Sequence, residues 1–205
     1  MTANLITLIR IALTFIAVGL LNINFYLNIA MFVLIVVIIM LDWLDGFIAR
    51  KYSESTSFGA LFDIAGDRIV ENIFWMYFAV IGLITVWVPI VVVSRGFLTD
   101  LLRTMAFARG KTPFGEKTMM ESAWARVLVS SRVSRGIYAG LKVAAFCYLA
   151  ALLVLESAVT KFGITPPAAI GIGGQILVYI VVVMCIIRGF PVIWDGRKYL
   201  LENIN

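Results

Sequence analysis

The stretch Leu41–Arg68 reads LDWLDGFIARKYSESTSFGALFDIAGDR. It joins two long apolar segments and carries the aspartates Asp42, Asp45, Asp63 and Asp67. Asp42 and Asp45 are three apart and share a face on one helix; Asp63 and Asp67 are four apart and share a face on the next. Gly46 and Ala49 continue the first face, and Gly59 continues the second. Between them, Ser53-Glu54-Ser55-Thr56-Ser57 forms a short polar turn that supplies a helix start. A carboxylate inside a bilayer costs about 2.5–3.5 kcal/mol on insertion scales, and a bare cluster repels itself. Hard divalent cations resolve both problems, because Mg²⁺ and its relatives favour carboxylate oxygen. The spacing therefore predicts a helical hairpin with an acidic, metal-binding pocket at its joint.

The rest of the chain says what surrounds that hairpin. It has 205 residues, of which 62% are hydrophobic and only 14% charged. Soluble domains carry about 25% charged residues, so this composition predicts an integral membrane protein. The expected fold is all-α and polytopic, a single domain over 1–205 with about six transmembrane helices of roughly 20 residues each. The apolar runs place the spans at about 5–21, 28–48, 58–84, 87–108, 136–155 and 168–187. The first run carries Arg10 and lacks a small-residue cleavage site, so it reads as a span and not as a cleaved leader. The connections 22–28 and 82–88 contain no Lys or Arg, and 156–167 contains only Lys161. Basic residues crowd the other connections, which predicts both termini and the active site on the cytoplasmic side. At a rise of about 1.5 Å per residue, the four aspartates then lie some 5–14 Å below the cytoplasmic end, in a shallow pocket.

Composition also excludes. The chain contains no histidine, which removes His general acid/base catalysis, His-ligated zinc and nucleophilic histidine routes to head-group exchange. Cys147 and Cys185 lie far apart in apolar runs and read as small buried hydrophobes. The formal charge of +5 flanks the spans, which suits anionic headgroups and phosphorylated substrates and not nucleic acid.

At the aspartates the sequence resembles the CDP-alcohol phosphotransferase family, also called CDP-alcohol phosphatidyltransferases. The family pattern is D-x2-D-G-x2-A-R-x8-G-x3-D-x3-D, met here by Asp42, Asp45, Gly46, Ala49, Arg50, Gly59, Asp63 and Asp67 with every spacing kept. In feel the chain is nearest to the phosphatidylglycerophosphate synthase-like members. The resemblance implies transfer of a phosphatidyl-type group from a CDP-activated lipid to a hydroxyl acceptor, with release of CMP. It implies two Mg²⁺ or Mn²⁺ ions held by Asp42, Asp45, Asp63 and Asp67, with Asp67 as the general base. It places Gly46, Ala49 and Arg50 beside the nucleotide and its phosphates, and it implies a homodimer. The physics agrees: displacement at a diphosphate needs neutralised oxygens and a base within reach of the hydroxyl, and Gly46, Ala49 and Gly59 leave room for a nucleotide between helices.

Two further groups follow from this frame. Asn4, Thr7 and Arg10 are spaced three apart on the first span, as in related lipid synthases; Asn4 and Thr7 are assigned to the nucleotide pocket. Two placements stay open for Arg10, toward the interface or toward the aspartates. Arg95 and Arg103 on the fourth span, and Arg132, Arg135 and Lys142 around the start of the fifth, form a basic constellation with Ser130, Ser131 and Ser134. Intramembrane cations are costly unless paired or functional, so this group is assigned to an anionic acceptor such as glycerol 3-phosphate or another polyol phosphate. Glycerol-phosphate-using relatives usually carry Arg-Glu where this chain has Ser94-Arg95-Gly96, and a Gly-Lys-x-Lys-like run where it has Gly140-Leu141-Lys142. Inositol phosphate, serine and another alcohol therefore stay open as acceptors. The segment 110–131, with Pro113, Phe114, Gly115, Met119, Met120 and Trp124, reads either as an interfacial helix or lid or as a simple loop.

Two readings compete from other classes. A cation carrier would need acidic side chains continuing across the membrane, and here they are expected to stop in the cytoplasmic third. A non-catalytic lipid-binding relative would be expected to lose the metal set, yet the four motif aspartates are present.

Overall fold

In the computed structural model the described residues are 2–52, 57–111, 118–120, 122–163 and 165–201. They form α1 (Thr2–Leu20), α2 (Phe25–Tyr52), α3 (Ser57–Val80), α4 (Trp87–Ala108), the single turn α5 (Ala123–Ala125), a π-helical turn (Arg126–Ser130), α6 (Arg132–Phe162) and α7 (Ala168–Leu201). No strand element occurs among the described residues. Phe25–Leu44, Arg132–Phe162 and Ala168–Lys198 are long and apolar enough to cross a membrane, and Asn4–Leu20 is a shorter apolar helix. Large hydrophobic side chains such as Phe15, Val33, Val80, Phe97, Phe107 and Ile180 stand exposed along the helices. In water such a surface would be a liability; in a bilayer it faces lipid.

Several helix limits differ from the apolar runs. Gly82 at φ +82° ends α3 at Val80, four residues before the expected 84. The amide of Leu83 returns to the carbonyl of Phe78 at 3.0 Å, a left-handed helix stop. α2 begins earlier than the apolar run because Asn24 caps it, its side-chain oxygen accepting from the Leu27 amide at 3.0 Å. α6 begins at Arg132, four residues before the expected 136, because Ser131 accepts from the Ser134 amide at 3.1 Å. α7 runs to Leu201 instead of Ile187, carrying Pro191 inside it.

The chain divides into two compact units, Met1–Val86 with Val143–Gln175, and Trp87–Lys142 with Ile176–Asn205. In the first unit, α1 turns a stripe of Thr7, Arg10, Thr14, Ala17 and Leu21 inward at spacings of three and four. Phe74, Trp75 and Phe78 of α3 are fully buried and surround Phe146 of α6, with ring centroids 5.4, 4.7 and 6.4 Å away. Polar ties lock the same helices. The Asn28 side chain accepts from the Asn22 amide at 2.7 Å and donates to the Leu153 carbonyl at 3.3 Å, and the Tyr77 hydroxyl donates to the Leu21 carbonyl at 2.8 Å.

In the second unit, Leu102 and Ala106 of α4, Met119, Met120, Ala125 and Val129 of the connecting segment, and Val192 of α7 form one hydrophobic cluster. Of the described part of 110–131, Met119, Met120, Ala125 and Val129 pack into this core, while Trp124 and Val127 are exposed. Pro113, Phe114 and Gly115 lie outside the described residues.

Candidate active site

The acidic site belongs to the first unit. Its geometry starts from a close approach of α1 to α3: a Cβ placed on Gly66 would run into the Thr7 methyl, so only glycine admits that contact. Three residues along the same stripe, Arg10 is delivered beside Asp67. Its Nη2 lies 2.8 Å from Asp42 Oδ1 and 3.0 Å from Asp67 Oδ1, and its Nη1 lies 3.9 Å from Asp63 Oδ1. One guanidinium from α1 thus meets three carboxylates, one from α2 and two from α3. The depths differ: the Arg10 side chain is 4% exposed, and the aspartates are 46–49% exposed. The carboxylates form an open mouth and the arginine its inner wall.

This settles the open placement of Arg10, which is drawn to the aspartates. It also shows that Asp42, Asp63 and Asp67 converge, as the helix faces predict. The donor set is hard oxygen, converges on one cation already and is open on its outer side, so these residues fit Mg²⁺ or Mn²⁺. The side chains of Asp45, Gly46, Ala49 and Arg50 lie outside the described residues. Thr7 is buried and packs α1 on α3; Asn4 and Gly59 are half-buried.

A further acidic residue follows on α3: Glu71, one turn beyond Asp67, is 7% exposed and pairs with Arg68 at 3.8 Å. It lies about 20 Å from the start of the helix by its rise. It is a buried, ion-paired carboxylate, which differs from the open mouth formed by the motif aspartates.

The basic group belongs to the second unit. Arg95 of α4 lies against α7 where Gly189 leaves room; a Cβ there would come 2.7 Å from Arg95 Cγ. Arg188, the residue before that glycine, is 5% exposed. Its Nη1 donates to the Leu128 carbonyl at 2.9 Å and to the Ser134 hydroxyl, and its Nη2 donates to the Val129 carbonyl at 3.4 Å. The accepting carbonyls come from the π-helical turn, whose altered register offers them to a side chain. Ser134 Oγ in turn donates to the Leu128 carbonyl at 2.7 Å. Tyr138 supplies an aromatic floor, 5.7 Å from the Arg188 guanidinium and 5.0 Å from Lys142 Nζ. The like charges of Arg95 and Arg135 both act on Arg188. Neither Arg95 nor Arg188 has an acidic partner among the described residues, and the Nε of each is buried without a hydrogen bond.

Of the residues expected in this group, Arg95, Arg135 and Lys142 gather around Arg188 and Tyr138. Arg103 turns to Asp100 at 3.6 Å, and Arg132 is exposed. Arg188 itself is absent from the sequence-based set. Its signal is plain in retrospect: an arginine in the middle of the apolar helix Ala168–Leu201.

Among the described residues these features are those of an all-helical protein with apolar helices of membrane-spanning length, an acidic cluster in one unit and a basic cluster in the other. The CDP-alcohol phosphatidyltransferase family pattern matches residues 1–190, and the chain belongs to that family. Among curated proteins it is similar to the CDP-diacylglycerol–glycerol-3-phosphate 3-phosphatidyltransferase of Bacillus subtilis, with 28% identity over 90 residues, 44% of this chain and 47% of that protein. It is also similar to the protein of the same name from Haemophilus influenzae, with 31% identity over 91 residues, 40% of this chain and 43% of that protein. Each match therefore spans less than half of the relative's length.

Proposed function

We propose that the protein is a divalent-metal-dependent phosphatidyltransferase. It moves the phosphatidyl group of a CDP-diacylglycerol-like lipid to a small phosphorylated alcohol, glycerol 3-phosphate first among the candidates, and releases CMP. The observation that carries this is the convergence of Asp42, Asp63 and Asp67 on one cationic point. Family membership and the names of the relatives support the donor and acceptor.

In this reading Asp42, Asp45, Asp63 and Asp67 hold two Mg²⁺ or Mn²⁺ ions, which when bound offset charge on the diphosphate and on the leaving CMP. Asn4, Thr7, Gly46, Ala49, Arg50 and Gly59 shape the nucleotide's place. Asp67 takes the proton of the acceptor hydroxyl. The acceptor oxygen forms a bond to the lipid-bearing phosphorus as the bond from that phosphorus to the CMP oxygen breaks. Arg95, Arg135, Arg188 and Lys142 bind the acceptor's phosphate, since gathered basic groups suit a doubly charged oxyanion. Arg103 and Arg132 stand behind them, one already paired and one exposed.

The same reading takes the chain as one domain with six spans, both termini and the aspartates cytoplasmic. The missing Lys and Arg at 22–28 and 82–88 support that topology. It also takes the active form as a homodimer, by family resemblance alone.

The test is CMP release by purified protein with CDP-diacylglycerol and Mg²⁺ against glycerol 3-phosphate, inositol 1-phosphate, inositol, serine and glycerol. Turnover with a phosphorylated acceptor, weakened in Arg188→Ala, is the expected result. Turnover with serine or an uncharged polyol alone would keep the enzyme class and remove the role given to the arginines. No turnover with any pair would favour a non-catalytic lipid-binding relative or a cation carrier.

A further inference from the structure

Arg10 stands among carboxylates that a metal site needs for itself. It is 4% exposed, behind side chains that are about half exposed. Its Nε and Nη1 are buried without a hydrogen bond, and Nη1 is aimed at Asp63 from 3.9 Å. Its backbone is pinned: the Arg10 carbonyl accepts from Thr14 Oγ1 at 2.8 Å, and the Thr7–Gly66 contact fixes α1 on α3. The guanidinium is thus held in place by packing and cannot leave with the solvent-facing carboxylates. Each aspartate shows the arginine one oxygen, Oδ1.

From this geometry we infer that Arg10 is the resident counter-charge of the acidic site, a positioning residue that holds Asp42, Asp63 and Asp67 convergent before divalent ions bind. This rests on reading the aspartates as the metal site. Three carboxylates brought together without a cation repel strongly at the low effective dielectric of a membrane helix bundle. A metal protein that depended on its ions for this would lose its hairpin whenever they left. Arg10 removes that dependence. A guanidinium suits the task because its planar fork addresses several carboxylates at once, whereas an ammonium is a point charge.

The test compares wild type, Arg10→Gln and Arg10→Lys in detergent, each in EDTA and in excess Mn²⁺, by thermal unfolding. Mn²⁺ binding is followed separately by the loss of its free-ion paramagnetic resonance signal. Wild type is expected to unfold somewhat higher in Mn²⁺ than in EDTA, by the amount that ion binding to the native state supplies. Arg10→Gln is expected to unfold about 5 °C or more lower in EDTA and to recover most of that shift in Mn²⁺. Arg10→Lys should fall between them. A merely structural arginine would lower the midpoint equally in both buffers, and that result, or no shift in either, overturns the inference. If Arg10→Gln cannot be recovered even with Mn²⁺, an Arg10→Lys midpoint that differs between EDTA and Mn²⁺ by more than the wild-type midpoint does supports the inference, and one that differs by the same amount or less overturns it. If wild type binds no Mn²⁺, the metal reading fails and takes the inference with it; if wild type binds Mn²⁺ while the variants shift between buffers no more than wild type does, the inference alone fails.

Discussion

The two charged regions are built in opposite ways. At the acidic hairpin, half-exposed carboxylates converge on a buried arginine that neutralises part of their charge. In the second unit a buried arginine, Arg188, is held by neutral groups: two backbone carbonyls, a serine hydroxyl and the face of a tyrosine. The acidic site carries its own counter-ion behind an open mouth. At the basic site the contacts to Arg188 orient its charge without cancelling it. Carbonyl dipoles orient a guanidinium without cancelling it, so the positive field stays available to an incoming anion. A resident ion suits a site for a cofactor that stays, and an uncancelled field suits a substrate that comes and goes.

The contrast can be broken most forcefully at the metal. Chelation with EDTA should take CMP release to background while far-ultraviolet circular dichroism stays unchanged, and Mg²⁺ or Mn²⁺ should restore it. Persistent turnover in EDTA would end the idea that the carboxylates hold ions. Next comes Asp67→Asn, expected to insert normally and to lose about 10²–10⁴-fold in turnover, the usual worth of a general base. Full turnover would remove that role from Asp67.

At the basic site Arg188→Ala should cost about 10–100-fold in kcat/KM for the phosphorylated acceptor, the scale of one charge-assisted contact. The KM for the CDP-lipid should hardly move. An equal loss for both substrates would show that Arg188 braces the fold instead of meeting the acceptor. Arg103→Ala sharpens the same point, because Arg103 already faces Asp100; a loss of no more than about three-fold is expected for so exposed a pair. Smallest in activity but visible in stability is Gly66→Ala. The added methyl meets Thr7, so about 1–3 kcal/mol of overpacking should lower the unfolding midpoint by several degrees.

What could be seen in advance depended on how local the determinant was. The aspartates were legible because helix periodicity alone brings Asp42 to one face and Asp63 with Asp67 to the next. Arg10 was ambiguous because its partners lie on other helices, and only the Thr7–Gly66 contact selects them. Arg188 was missed for a physical reason: the apolar run was ended at the charge, whereas the helix continues past it, with neighbouring carbonyls and Tyr138 bearing the cost. Glu71 was overlooked in the same way, its charge met by Arg68 on its own helix. The packing of 118–130 had no periodic signal to find, since a three-residue turn followed by a π-helical turn has neither the period of a helix nor that of a strand.

The length of α7 carries a last consequence. It has 34 residues, so it extends about 51 Å, against a hydrocarbon thickness of about 30 Å. Near its carboxyl end, Phe190 stacks on Trp194 at 5.8 Å and Arg197 lies over the Trp194 ring at 4.0 Å. Such an aromatic and cationic ladder floats at the headgroup level. It works as a waterline, and Arg188 hangs roughly 9 Å beneath it by helical rise. When the surrounding bilayer thins or thickens, the surplus at the far end can tilt or emerge, while the depth of the arginine below the nearer interface stays set by the draught of that short ladder.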